Sequence, residues 1–230
     1  MGPLPQFSDD KQRQELFGLW KKQEQILIST GIPEAMGMDE REFSDYLELF
    51  AREAIEGGMG YRPPLIPFLI VIGERAVGIL KQLRSLKING LRGAVRLKPG
   101  LIKERRDDFR FSNLVYLIFG VEDGSSTVNV APKDCRRRFT EDNRWGLNVV
   151  EGFALLRLQP EVIHHHGVHL VESSYEALEV ASVWGSPAEE KLVLGACRLE
   201  GRGDGHGSPS SMITKPPTGG TRERLRGIIS

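Results

Sequence analysis

Four of the five histidines of this 230-residue chain lie within six positions, in the segment PEVIHHHGVHLVESSY (residues 160–175). A neutral imidazole is a common metal ligand, so the cluster raises the question of a metal site. On a helix, three consecutive side chains project about 100° apart and do not converge on one ion. On an extended chain His164 and His166 share a face, but His169 lies on the opposite one. We therefore predict no metal site, keep these three as weak candidates, and interpret the segment as a solvated bend between a helix and a strand.

The carboxyl end of the same segment carries further polar groups of the kinds found in binding sites. No nucleophile, base and orienting group can be assembled from their spacing, so catalytic residues are not predicted and an enzymatic role stays open. The candidate binding residues are His169, Glu172, Ser173, Tyr175, Gly207, Ser208 and Ser210.

The segment KDCRRRFTEDNR places Cys135 beside three arginines, Arg136 to Arg138. Neighbouring cations lower the pKa of a thiol, as they do in reactive cysteines. No histidine is close enough in sequence to act as a base. We therefore interpret the segment as a solvated basic turn after Pro132.

Charge is distributed unevenly, although the formal net charge is zero. Residues 61–112 hold 12 basic and 4 acidic side chains, whereas residues 1–60 hold 6 and 12. Nucleic-acid phosphates bind basic clusters of this kind, but no recognised nucleic-acid-binding motif accompanies it. We expect the basic face to pair with acids of the first two helices. Nucleic-acid binding through residues 75–106 is kept as a weaker alternative.

The elements that must position these residues indicate an α+β fold. Apolar side chains recur at helical spacing over residues 9–31 and again after Asp39, where Glu42 completes a capping pair. Two apolar runs, in residues 65–72 and 114–121, predict buried strands. Pro67 in the first run favours an edge position, because proline cannot donate to a sheet ladder.

The rest of the chain continues this mixed pattern. Residues 74–87 predict a helix, Asn89-Gly90 a turn, and Asn148 with Glu151 the cap of another helix. Three short strands follow the histidines. We predict one domain over residues 9–200, with two N-terminal helices packed on a mixed, mainly antiparallel sheet, and a disordered Gly/Pro/Ser-rich tail over residues 201–230.

Composition narrows the class of protein. Hydrophobic residues make up 40% and charged residues 27%, as in ordinary globular proteins. The longest apolar run has eight residues and contains Pro67, so no membrane span is predicted. Two cysteines without CxxC spacing favour a reducing compartment, so we predict a cytoplasmic location.

Several short motifs together resemble an uncharacterised bacterial family, a domain of unknown function found also in candidate-phylum bacteria. They are the strand PFLIVI, the segment VNVAPKDC, Glu151-Gly152, Pro160-Glu161, Ser174-Tyr175 and the closing Gly207-Ser208-Pro209-Ser210. The resemblance covers roughly residues 40–211. It implies a shared fold and supplies no activity.

These observations predict an uncharacterised soluble bacterial protein that is a non-catalytic binding or interaction module. The alternative is an enzyme whose site is assembled from distant residues around 166–175. No cofactor is predicted. A protein partner or a small-molecule ligand fits the prediction equally well.

Overall fold

A computed structural model describes residues 9–88, 90–105, 113–201 and 205–213. Seven α-helices occur in these ranges: α1 (Asp9–Ser29), α2 (Ile32–Met36), α3 (Glu40–Gly58), α4 (Ile79–Ser85), α5 (Pro132–Glu141), α6 (Val149–Leu158) and α7 (Val162–His165). Ten strands accompany them: β1 (Ile66–Ile72), β2 (Arg92–Val95), β3 (Ile102–Glu104), β4 (Val115–Val121), β5 (Arg144–Gly146), β6 (Gly167–Tyr175), β7 (Glu179–Ser186), β8 (Lys191–Arg198), β9 (His206–Gly207) and β10 (Ser210–Met212).

The largest sheet has the strand order β2-β8-β7-β6-β3, and β9 also pairs with β6. The β2–β8 and β6–β9 pairs are parallel and the others in this sheet are antiparallel. Two smaller antiparallel sheets are formed by β1 with β4 and by β5 with β10. The predicted α+β class with a mixed, mainly antiparallel sheet is therefore confirmed.

The β1–β4 ribbon is buried on both faces, which explains its continuous apolar sequence. Alternate side chains such as Phe68 and Ile70 contact α1 and α3, and those between them, such as Leu69 and Val71, face α6. Proline at position 67 is tolerated because β1 is paired only with β4. On its other edge, the Gln23 amide of α1 donates to Phe68 O at 3.1 Å and accepts from Ile70 N at 2.9 Å.

Helix α6 lies at the centre of the molecule. All ten of its residues are buried, since it contacts β1 on one side and β6 on the other. A helix that is apolar around its whole circumference is typical of such a position. Arg157, the only basic residue of α6, is therefore buried.

The capped helices were predicted well. The capping box of Asp39 and Glu42 begins α3, and that of Asn148 and Glu151 begins α6. The strands predicted in residues 65–72 and 114–121 are β1 and β4, and the three predicted C-terminal strands are β6, β7 and β8. Asn89, in the predicted turn, lies outside the described residues.

Three predictions about the chain differ from the structure. The helix predicted over residues 74–87 is confined to Ile79–Ser85, and residues 133–141, interpreted as a solvated turn, belong to α5. Burial of Cys135 and Phe139 on one face stabilises α5. Within the predicted tail, residues 205–213 include β9 and β10, and the domain boundary at residue 200 stays a prediction. The remainder of the predicted tail, residues 202–204 and 214–230, lies outside the described residues.

The expected pairing of the basic face with helical acids is not observed for its exposed lysines. Lys81 donates to Ala35 O at 3.4 Å, and Lys87 donates to Ser29 O at 2.6 Å. Both acceptors are backbone carbonyls, one in α2 and one at the last residue of α1. In the described ranges no helix is both long and apolar enough to cross a membrane.

Candidate functional site

A bulge in β6 determines where the predicted site residues lie. His169 is opposite Ser182 and Leu170 is opposite Ala181, but the next paired residue of β6 is Ser174, opposite Val180. Residues 171–173 therefore have no opposing residue on β7. Bulges of this kind redirect side chains. Here the bulge separates Glu172 and Ser173 from His169.

Ser173 is directed at the amino end of α6. Its Oγ accepts from Val149 N at 3.0 Å and donates to Glu104 Oε1 at 2.7 Å. The adjoining capping box is completely buried: Asn148 N donates to Glu151 Oε2, and Glu151 N donates to Asn148 Oδ1, both at 2.9 Å. The first turn of α6 is thus held by side chains from β3, β6 and its own cap.

Glu172 is buried near two arginines, Arg105 and Arg136, which we call the arginine pair. Its Oε1 lies 3.7 Å from Arg105 Nη1. Arg136, on α5, donates from Nε to Val171 O at 2.7 Å and from Nη2 to Ser174 Oγ at 3.4 Å. Burial, and then repulsion by Arg105, lowers the pKa of Arg136 to about 10, while Glu172 acts in the opposite direction. Two cations that repel each other therefore lie near the Glu172 carboxylate, which pairs with Arg105.

His169 lies on the other side of the bulge, fully buried in the sheet. Its Nδ1 is 3.0 Å from Ser182 Oγ, and its ring stacks on that of His206 with centroids 4.9 Å apart. Burial, with a smaller contribution from His206, lowers the pKa of His169 to about 3. The imidazole is therefore neutral at physiological pH.

The remaining histidines diverge. His164 and His165 are exposed on α7, whereas His166 is buried with Nδ1 2.8 Å from Gly167 O. Since that carbonyl can only accept, Nδ1 of His166 carries the hydrogen. Among the described residues, no group of three or more His, Cys, Asp and Glu side chains is arranged to hold a metal ion.

Tyr175 lies at the end of β6, away from His169. Its hydroxyl accepts from Lys98 N at 3.4 Å, and it is opposite Ile102 of β3. This places it beside the basic segment that precedes β3. Tyr175 shares the bulged strand with His169, Glu172 and Ser173 but lies at its far end.

The Gly-Ser segment joins the chain end to the turn after β4. A Cβ on Gly207 would lie 2.1 Å from Gly124 O, so only glycine fits there. Ser208 N donates to Thr127 Oγ1 at 2.7 Å, and Ser210 Oγ accepts from Arg144 Nε at 2.8 Å. These residues bind the β9–β10 segment to the fold and do not join the arginine pair.

Sequence reasoning missed the functional potential of Arg136. The available signal was α5 itself: Pro132 at its first turn and the apolar positions Cys135 and Phe139 one helical turn apart. With α5 assigned, Arg136 is a helix residue that can reach β6. Burial raises the pKa of Cys135, so this thiol is not activated by its arginine neighbours.

The amino-acid sequence places this chain in a family of unknown function. The chain matches a family of unknown function, DUF5701, over residues 26–182, and belongs to that family. The matched range includes Arg105, Arg136, Glu172 and Ser173. No curated protein and no solved structure matches the chain.

Proposed function

We propose that this chain is a non-catalytic binding protein whose ligand carries an anionic group, a carboxylate or a phosphate, that binds at the arginine pair. The observation that carries the proposal is that two arginines meet on one segment of β6: Arg105 pairs with Glu172, and Arg136 donates to Val171 O and Ser174 Oγ. Arginine binds both kinds of anion through two parallel hydrogen bonds.

The electrostatics of the arginine pair favour an added anion. The repulsion between the two arginines is one cause of the low pKa of Arg136. An anionic ligand would offset that repulsion in a partly desolvated setting, where charge interactions are stronger than in water. Arg105 remains nearly half exposed, so solvent reaches the pair.

Neighbouring groups would orient the ligand. Ser174 Oγ accepts from Arg136, which leaves the hydroxyl hydrogen of Ser174 to donate to a bound oxygen. The backbone of Glu172 is fixed because its N donates to Leu147 O and its O accepts from Arg105 N. A ligand therefore approaches the arginine pair from the side away from Glu172. The site therefore suits a ligand with one anionic end and a neutral remainder.

Isothermal titration with citrate and with inorganic phosphate tests the proposal. We expect Arg136→Met to weaken binding at least about tenfold, the scale of one lost charge-assisted contact. Arg138→Met is the matched control, because Arg138 lies on the same helix but is exposed. Absence of binding by both anions, or binding that survives substitution of both members of the pair, would overturn the proposal.

The alternative of an enzyme around residues 166–175 has one observation in its favour, the contact of His169 with the Ser182 hydroxyl. Both side chains are completely buried, and a neutral imidazole with a pKa near 3 is a weak base. A binding role accounts for more of the geometry. Covalent labelling of Ser182 by a serine-directed phosphonate would reverse this preference.

Nucleic-acid binding remains the weaker alternative, favoured by exposed cations of α4 and of the segment that follows it. Within the described ranges, Lys81, Arg84 and Lys87 form no ion pair with a carboxylate. Phosphate-dominated binding falls steeply with salt. Retention on heparin at about 150 mM salt would support it, and free passage would exclude this mode.

We further propose that the protein acts in the bacterial cytoplasm. Both cysteines, Cys135 and Cys197, are free thiols in the structure. Free thiols persist in a reducing compartment. Fractionation of the source cells, with the protein detected by antibody, tests this location.

A further inference from the structure

A pair of stacked histidines joins the short strand β9 to β6. The ring of His206, in β9, stacks on the ring of His169, in β6, with centroids 4.9 Å apart and planes inclined by 19°. Gly167 permits this approach, because a Cβ there would overlap the His206 ring. The ring of Trp184 packs edge-on against His206, with centroids 6.0 Å apart. His169 is fully buried in this cluster, whereas His206 is partly exposed.

The surroundings of His169 suit only a neutral imidazole. Its Nδ1 lies 3.0 Å from Ser182 Oγ, but its Nε2 is buried without a hydrogen-bond partner among the described residues. In the same ranges no carboxylate forms an ion pair with His169. A proton on this ring would therefore place an uncompensated charge in the interior, which is strongly unfavourable.

Titratable and charged side chains on the described elements around the stack are engaged elsewhere or exposed to solvent. They are His166, with Nδ1 at Gly167 O; Cys197 of β8, beside Ser182; Glu122 and Asp123 after β4, which accept from Ser126 Oγ and Ser125 N; Arg96, which lies over the Trp184 ring and pairs with Glu189; and the exposed His164 and His165 of α7.

Strand β9 has only two residues and is held mainly by backbone hydrogen bonds. Gly167 N donates to Gly205 O at 2.8 Å, and Asn129 N donates to His206 O at 2.9 Å. Strand β10 is held separately, by its antiparallel ladder with β5. The contacts of β9 with β6 are therefore distinct from those that hold β10.

The protonation of His169 depends on whether β9 is in place. In the closed arrangement burial, with a smaller contribution from His206, lowers the pKa of His169 to about 3. A hydrated imidazole has a pKa of about 6.5. A conformation that exposes His169 therefore binds more protons than the closed one between these two values, so acid favours the exposed conformation. Above pH 6.5 both conformations hold a neutral ring, and the balance between them no longer changes.

We propose that β9 is an acid-released latch, which separates from β6 when His169 takes up a proton. Departure of the His206 ring uncovers His169, and the edge of β6 at Gly167 and Val168 loses its parallel partner. His206, partly exposed, is the route by which water reaches the stack. The latch lies apart from the arginine pair, so this inference goes beyond the proposed function and does not depend on it.

Amide hydrogen exchange of the full chain, followed by NMR at pH 7 and pH 5, tests the proposal. After division by the intrinsic exchange rate at each pH, the opening constants of the Gly167 and Asn129 amides should rise about 10- to 30-fold on acidification. The Ser210 amide of β10, which donates to Glu122 O, is the internal control and should change much less. Unchanged opening at Gly167 and Asn129, or an equal rise at Ser210, would overturn the proposal.

Two variants identify the group that takes up the proton. His169→Asn should remove the acid-dependent rise at Gly167 and Asn129, and His165→Asn, at an exposed histidine, should preserve it. His206→Phe keeps an aromatic ring over His169 but has no titratable group, so the rise should persist. A rise that survives His169→Asn, or one that disappears in His206→Phe, would contradict the assignment to His169.

Discussion

Buried polar groups are hydrogen-bonded to different extents at the two ends of α6. At the amino end, Asn148, Glu151 and Ser173 satisfy most of one another's donors and acceptors, and only Asn148 Nδ2 has no partner among the described residues. At the carboxyl end, Arg157 carries a full charge with two nitrogen atoms unsatisfied. Side chains of β3, β4 and β6 surround the amino end, whereas residues of α4 contact Arg157 at the carboxyl end. The comparison indicates that buried polar groups stabilise the amino end and leave a charge partly unsatisfied at the carboxyl end.

The largest expected effect is at the amino end of α6. Glu151→Ala removes the acceptor of Asn148 N and of the Tyr116 hydroxyl and leaves a cavity. We expect the free energy of unfolding to fall by about 3 kcal/mol, measured by urea denaturation. Glu42→Ala in the exposed capping box of α3 is the control and should cost clearly less. Equal losses of unfolding free energy in the two variants would mean that burial does not strengthen the capping box of α6.

The second turn of α6 tests how closely the helix lies on the sheet. A Cβ on Gly152 would lie 2.3 Å from Leu170 Cδ2, so Gly152→Ala should cost about 2 kcal/mol despite the better helix propensity of alanine. Gly18→Ala in α1 meets nothing within 4 Å and should stabilise by about 0.5–1 kcal/mol. Urea titrations of both variants give the comparison. If Gly152→Ala stabilised the protein, the Leu170 side chain or β6 would have to move to accommodate the added methyl group.

His169 extends the comparison to β6, because it too has a buried nitrogen, Nε2, without a partner in the described ranges. Its pKa is lowered from 6.5 to about 3 in the folded chain. The unfolded chain therefore takes up a proton first as pH falls. The contribution of His169 to the free energy of unfolding is complete above pH 6.5. Below that pH it declines by up to about 1.4 kcal/mol per pH unit.

Unfolding free energies measured between pH 7 and pH 5 check this dependence, before most carboxylates titrate. His169→Asn should flatten the decline. His164→Asn, at an exposed histidine, should leave it unchanged. An equal slope in wild type and His169→Asn would assign the dependence to another group, with stacked His206 the first to examine.

The smallest expected effect is at Arg157. Replacing a buried, unpaired ion by an apolar residue of similar length is often neutral or stabilising. We therefore expect Arg157→Met to change the unfolding free energy, measured by urea denaturation, by less than about 1 kcal/mol. A loss above about 3 kcal/mol would mean that protein contacts already compensate the charge, and the contrast between the two ends of α6 would disappear.

The short-range features of this protein were predictable. The two residues of each capping box in α3 and α6 are three positions apart, and the continuous apolar runs of β1 and β4 are visible within seven residues each. Such patterns depend on neighbours in sequence, because capping bonds and side-chain direction are set locally. Helix α5 was missed since its apolar face is only two residues, Cys135 and Phe139, within a strongly charged segment.

The candidate site and the other buried polar contacts depend on residues far apart in the chain. Ser173 bonds to Glu104 across 69 positions, and Arg157 bonds to Gln82 across 75. No spacing rule connects such residues, and the bulge that separates His169 from Glu172 follows from pairing between β6 and β7. The sequence alone therefore determined the class, the caps and the buried strands. Tertiary structure decided which polar groups meet, because burial and long-range contact exist only once the layers have packed.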